Sequence, residues 1–268
     1  MTATTGSLPP LSSAEERTAP PLGGFNLAYV RLEMRRLLRN KRTLAFTVAL
    51  PPFFYLIFGA GQNYANESAG HGNVAAFVMI SMAVYGAMLA TTSGGAMVSI
   101  ERAAGWSRQL RLTPLSPAAY IAIKLVTAMV LGLIPVVVVF VLGRVHGAQM
   151  DSHLWFETAA IAWLGSVVFA AFGLFMGYLL PSENVMQILG PVLALLAFAG
   201  GLFIPLSQMD HTFRTIAKFT PMYGLNELVH APLTGDSVEL VWVVNLLVWL
   251  AVFSAGAAWR FRKDTARV

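Results

Sequence analysis

Residues 74–99 read VAAFVMISMAVYGAMLATTSGGAMVS, an uncharged run that ends just before the adjacent pair Glu101-Arg102. About 20 apolar residues in a helix cross the hydrocarbon core of a bilayer, so this stretch is long enough to span it. Working outward, five further stretches qualify: 44–60, 118–142, 154–179, 186–206 and 238–259. Pro51 and Pro52 interrupt the first of them. Only Lys124, Glu157 and Glu239 lie inside the six, each near an end. A charge at mid-bilayer costs about 2.5–3.5 kcal/mol on insertion scales, so this segregation is what a membrane fold requires. The predicted fold class is all-α integral membrane, with six transmembrane helices.

Composition agrees. The chain has 268 residues, 56% hydrophobic and 12% charged, and its mean hydropathy is +0.65. An ordinary soluble domain carries roughly 25% charged residues. A disordered chain needs low hydrophobicity and high charge. Both classes are excluded. There is no Cys, hence no disulfide, thiolate metal site or Cys nucleophile. A net charge of +5 would suggest nucleic acid in a soluble protein; here it reflects basic flanks at a membrane, and no nucleic-acid partner is expected.

The position of those flanks sets the expected orientation. Arg31, Arg35, Arg36, Arg39, Lys41 and Arg42 precede the first stretch, Arg102, Arg108 and Arg111 follow the second, and Arg260, Arg262, Lys263 and Arg267 end the chain. The opposite side has only Arg144, Arg214 and Lys218. Both termini are therefore expected in the cytoplasm, with all five histidines outside. Residues 1–24, rich in Pro, Ser, Thr, Ala and Gly, read as a disordered cytoplasmic tail; 25–260 form the membrane domain, and 261–268 a basic tail.

Three connecting segments carry further signals. In 25–42, Leu27, Val30, Met34, Leu37 and Leu38 recur at helical spacing with arginines on the rest, which suits a helix lying in the cytoplasmic interface. Residues 100–117 read as a short charged helix followed by a turn at Thr113-Pro114-Leu115-Ser116-Pro117, since proline disfavours helix in the residue before it. A charged knob between long membrane helices suits docking of a cytoplasmic partner. Residues 207–237 are too apolar for a plain external loop. Phe213, Ile216, Phe219, Tyr223 and Leu225, with Pro221 among them, point to a re-entrant helical hairpin packed against protein. Gly200, Gly201 and Pro205 provide a break before it.

Several chemistries are missing from the sequence. No Gly-x-x-x-x-Gly-Lys-Ser/Thr motif, His-Glu-x-x-His, Gly-x-Ser-x-Gly or dinucleotide fingerprint occurs. The chain is not expected to bind ATP, a cofactor or a metal, or to act as an enzyme alone. His146, Asp151 and His153 match no ligand spacing. Ion-coupled transporters commonly use ionisable groups at mid-depth, which these stretches lack, so active transport would draw its energy from a separate subunit.

The stretch 101–124 resembles the signature of the type-2 ABC exporter permeases, the ABC-2 membrane domain, carried by Glu101, Arg102, Gly105, Leu110, Thr113, Pro114, Leu115, Ser116 and Lys124. Pro205, Met209, Phe213, Ile216, Thr220-Pro221, Tyr223 and Glu227 stand where that family has its re-entrant hairpin. The resemblance covers roughly 25–260 and is nearest to the drug- and antibiotic-exporter branch. Where the family has Thr, an aliphatic residue and Glu after the loop glycine, this chain has Trp106, Ser107 and Arg108, which implies a partner surface of altered charge. The resemblance implies two permease chains, as homo- or heterodimer, with two cytoplasmic P-loop ATPase subunits that bind ATP and Mg. Glu101, Arg102, Trp106 and Arg108 would lie in the ATPase-coupling element, with Glu101 and Arg102 as ionic contacts. Gly105 would allow close backbone approach and Pro114 would fix the turn.

Candidate path residues are Ser81, Tyr85, Met88 and Thr92 on one face of the second stretch, with Phe198 and Phe203 in the fifth. Small polar residues at such positions also hydrogen-bond neighbouring helices, and aromatics also fill cores. Gly173-x-x-x-Gly177 permits close helix contact within the chain. The function expected is export of a hydrophobic or amphipathic substrate (drug, antibiotic or lipid-like) across a bacterial-type plasma membrane. The alternatives are a stand-alone secondary transporter or channel, which would need an inverted repeat or midplane ionisable groups, and a lipid or polysaccharide exporter permease.

Overall fold

The computed structural model describes residues 21–39, 41–105 and 115–266. Helices dominate it: α1 (Leu27–Arg39), α2 (Lys41–Phe58), α3 (Val74–Ala96), α4 (Val98–Ala103) and α5 (Pro117–Val145). They continue with α6 (Ser152–Gly165), α7 (Val167–Leu179), α8 (Val185–Ala199), α9 (His211–Ala217), α10 (Pro221–Thr234) and α11 (Leu240–Ala266). A two-residue antiparallel ladder, β1 (Ser68–Ala69) and β2 (Gly72–Asn73), precedes α3.

Four described helical segments are long and apolar enough to cross a membrane: Val74–Ala103, Ala118–Val145, Ser152–Leu179 and Leu240–Lys263. The first and third each contain a break in the helix, at Met97 and Ser166. The other two expected spans are shorter apolar helices, Ala45–Phe58 and Val185–Ala199. At 1.5 Å per residue, the 15 residues of α8 reach about 22 Å, less than a full hydrocarbon core. Gly200 ends α8 and Gly201, at φ +84°, turns the chain, so the break expected there is present. Pro51 and Pro52, expected to interrupt the first span, lie within a continuous α2. Gly86 of α3 faces both Pro51 and Pro135 of α5 so closely that a Cβ there would meet Pro135 Cβ at 2.7 Å. The missing side chain makes room for both rings.

The central helix is α3. It packs against α2, α5 and α7, touches α6, α8 and α10, and is buried along most of its length. Gly173 of α7 sits against the backbone of Thr92, and Gly177 against that of Ala96. The Gly-x-x-x-Gly pair thus lets α7 and α3 meet within one chain. Asn73 caps α3: its Oδ1 accepts from the N–H of Ala76 (3.0 Å) and of Gln149 (2.9 Å), and its Nδ2 donates to the Gly147 carbonyl (2.8 Å). One side chain therefore starts the central helix and pins the loop after α5 to it. On the outer face of α5, Val126, Val130, Val137 and Val141 form an exposed apolar column, and α11 is likewise largely uncovered. Surface of that kind is at home in hydrocarbon rather than water.

Residues 1–20 of the expected disordered tail lie outside the described residues. Pro21–Gly24 forms a 3-10 turn whose Gly23 carbonyl accepts from the Ser116 N–H at 2.8 Å. In the segment expected to form the hairpin, α10 is buried against α6, α11 and α3, but Phe213 and Ile216 of α9, and Phe219 just after it, are exposed rather than packed against protein, Phe219 at 75%. With seven residues, α9 buries only Ala217.

Candidate functional site

Where the arginine-rich flanks gather, four charged side chains meet, three of them buried and the fourth, Arg36, partly exposed. Glu33 belongs to α1, Glu101 to α4 and Lys124 to α5, and their exposures are 4%, 3% and 2%. Lys124 Nζ lies 2.9 Å from Glu33 Oε2 and bonds Glu101 Oε1 as well. Arg36 Nη2 reaches the same Glu101 oxygen at 2.9 Å, and its Nη1 lies 3.6 Å from Glu33 Oε1. The Tyr120 hydroxyl donates to Glu101 Oε2 at 2.6 Å. Two carboxylates thus face two cations, and both Glu101 oxygens are occupied.

Local helix geometry delivers these groups. Tyr120 and Lys124 are four residues apart on α5, and Glu33 stands four before the buried Leu37 on α1, so each pair shares a helix face. Leu37 packs with Ala90 and Met97 of the central segment and Leu131 of α5, which holds the inner face of α1 in register. Ser116 caps α5 by accepting from the Ala119 N–H (3.2 Å), with Pro117 at the first turn, and this fixes where Tyr120 and Lys124 emerge. Val98, Tyr120, Leu174, Tyr178 and Ala257 form the apolar wall beside the cluster, with Phe261 against it. Behind the wall, Arg102 Nη1 donates to the carbonyls of Gly177 (3.1 Å) and Tyr178 (2.8 Å). These belong to the last turn of α7, where carbonyls lack helical partners and a cation is favoured.

Physically, the cluster is a tie. Moving α1, α4 or α5 alone would strand a buried charge, at about 3–5 kcal/mol per broken pair. Glu101 and Arg102, expected as ionic contacts for a partner, both have partners within the chain: Glu101 bonds α1 and α5, and Arg102 bonds the end of α7. Among the described residues nothing crowds Gly105, and its φ of +75° favours glycine there. Trp106, Arg108, Leu110, Thr113 and Pro114 lie outside the described residues.

Sequence reading placed Glu101 in a candidate site and Lys124 only in the family signature, and it did not single out Glu33, Arg36 or Tyr120. The available signal was Glu33, the single acid of the 25–42 amphipathic segment, set among its leucines. Arg36 was counted only as a flank charge.

The candidate path residues of α3 are placed in the core. Ser81 Oγ lies 3.1 Å from Nε2 of His230, whose Nδ1 hydrogen-bonds the Asn226 carbonyl at 2.9 Å. His230 thus belongs to α10 yet is buried by α3. Tyr85 packs between Phe54 and Phe203, with ring centroids at 6.2 and 5.2 Å. Met88 is fully buried, and the Thr92 hydroxyl donates to the Phe169 carbonyl at 3.3 Å. Phe198 is exposed, edge-on to Phe213 at 6.5 Å. In the hairpin, Pro221 begins α10, Tyr223 is buried with Trp242 of α11, and Glu227 is half-buried.

These features have counterparts among known proteins. The chain is 26% identical over 239 residues to "Putative transport permease YvfS" of Bacillus subtilis (strain 168), covering 87% of this chain and 96% of that one. The profile described as "ABC-2 type transporter" matches residues 26–233, a range that includes α1, the ion cluster, α9 and most of α10. The chain belongs to the ABC-2 type transporter family.

Proposed function

We propose that this chain is the membrane subunit of an ATP-driven exporter, moving a hydrophobic or amphipathic substrate of drug, antibiotic or lipid-like class out of the cytoplasm or inner leaflet. ATP and Mg are bound by a separate P-loop ATPase, with two copies serving two permease chains. The assembly sits in a bacterial-type plasma membrane with both permease termini in the cytoplasm. Family membership supports a permease that works with an ATPase. The observation that carries the mechanism is the Glu33–Arg36–Glu101–Lys124 cluster. It sits where the interfacial helix, the segment leading into residues 106–114 and the start of α5 converge. A push by the ATPase on that segment is passed through Glu101 to α1 and α5 together, and through Arg102 to the end of α7. The bundle then rocks as linked helices rather than one at a time.

The test is reconstitution of the chain with its ATPase subunit in vesicles, followed by efflux of candidate substrates. ATP-dependent efflux that needs both subunits supports the proposal. Efflux by the chain alone, driven by an ion gradient, would contradict it.

A further inference from the structure

The basic face of α1 holds more cations than the cluster uses. Glu33 and Glu101 are balanced by Arg36 and Lys124. Arg31, Arg35 and Arg39 are exposed and pair with no described acid. Arg35, Arg36 and Arg39 line an open groove of about 810 Å³, and Leu32 and Leu38 complete its wall. Both leucines are exposed, Leu32 at 62%. One residue separates α1 from α2, and along α2 a second groove of about 610 Å³ lies against α5. Its lining is apolar, Phe53 and Ile134 included, except for Lys41. In chain order the surface runs from guanidinium groups beside leucines, through one lysine, to purely apolar walls.

We propose that the first groove binds an anionic phospholipid of the adjoining leaflet, its phosphate held by Arg35 and Arg39 and its chains lying against Leu32 and Leu38 toward the α2–α5 groove. Charge complementarity requires an anion. The exposed leucines and the neighbouring apolar groove require that the anion carry a hydrocarbon part, which inorganic phosphate lacks. Arg36 links this site to the cluster. It lines the groove and also holds Glu101 at 2.9 Å, so a bound phosphate offers its guanidinium a competing acceptor. Lipid headgroup charge thereby tunes how firmly α1 is tied to α4.

The binding claim stands apart from the transport reading and is tested without ATP. The full chain is placed in phosphatidylcholine nanodiscs doped with phosphatidylglycerol, and retained lipids are counted by native mass spectrometry. Wild type is expected to retain phosphatidylglycerol preferentially. Arg35→Gln/Arg39→Gln is expected to weaken that preference about thirtyfold, at about fivefold per arginine beside an anionic headgroup. Arg35→Lys/Arg39→Lys keeps most of it, and Arg144→Gln at the opposite end changes nothing. If the double glutamine variant fails to fold, single Arg35→Gln carries the same reading at about fivefold. Unchanged retention in the glutamine variants overturns the proposal. Displacement of phosphatidylglycerol by millimolar inorganic phosphate also overturns it, by showing a plain anion site. Stoichiometric displacement by the ATPase subunit does so by assigning the face to protein.

Discussion

Removing Lys124 is the sharpest perturbation of the buried cluster. Its ammonium serves both Glu33 and Glu101 at 2% exposure. At an effective dielectric constant of about 20, a unit pair at the 2.9 Å of Lys124–Glu33 is worth about 6 kcal/mol before desolvation. Desolvation offsets most of that, so the intact cluster contributes little net stability, while a broken one is costly. Lys124→Met leaves two carboxylates confronting one half-exposed guanidinium and should destabilise the chain by about 3–5 kcal/mol. At about 3 °C per kcal/mol for a chain of this size, the thermal midpoint in mild detergent falls by the order of 10 °C. Adding Glu33→Gln removes the stranded carboxylate and should recover about 1–3 kcal/mol, a coupling that additive effects cannot produce. Arg36→Gln alone should cost no more than about 1 kcal/mol, since Arg36 is 39% exposed and its pairs are screened by solvent. A Lys124→Met midpoint equal to wild type, or strict additivity with Glu33→Gln, would refute the buried-tie reasoning.

Other consequences are open to direct measurement. Gly173→Leu drives a side chain into the Thr92 backbone and should cost about 1–3 kcal/mol or more, visible as a lower thermal midpoint, while Gly105→Ala, with open space around it, costs only the strain of its positive φ. Arg102→Ala uncovers the last carbonyls of α7 and should lose about 1–3 kcal/mol, with faster amide exchange at the α7 C-terminus. Thr92→Val removes a buried hydroxyl from its carbonyl partner; about 1 kcal/mol of stability should go while the profile of exported substrates stays unchanged, because Thr92 packs α3 on α7. Asp210 caps α9 by accepting from the Thr212 N–H at 2.9 Å, which holds its carboxyl below the usual range. The cap is therefore fully formed above the ordinary aspartate pKa and lost as pH falls through the lowered value, and exchange protection in α9 should fall with it.

The apolar runs were legible because bilayer thickness imposes a length that hydropathy reads directly, and α3, α5, α11 and the α6–α7 pair follow them closely. The two shorter helices differ from the reading of their stretches, one in where it ends and one in its continuity, for local reasons. Gly201 turns the chain before the apolar run of α8 ends, and Gly86 makes room for prolines that in isolation would break α2. Glu101 and Lys124 were visible as signature residues within one readable stretch, but not as a pair. Glu33 and Arg36 are about 70 and 90 residues away from these partners, and no local periodicity reports a contact between helices so far apart in sequence. The same limit hid His230, whose burial depends on Ser81 of another helix 149 positions earlier.

Transmission of motion from the ATPase into the membrane helices through the cluster is tested by measuring ATP hydrolysis and substrate efflux in the same vesicles for wild type and for Glu101→Gln, which keeps the shape of the side chain but removes its charge. The variant is expected still to assemble with the ATPase and hydrolyse ATP while efflux per ATP falls at least about tenfold, as loss of about 1.4 kcal/mol or more of coupling requires. Unchanged efflux per ATP in the variant would contradict that transmission.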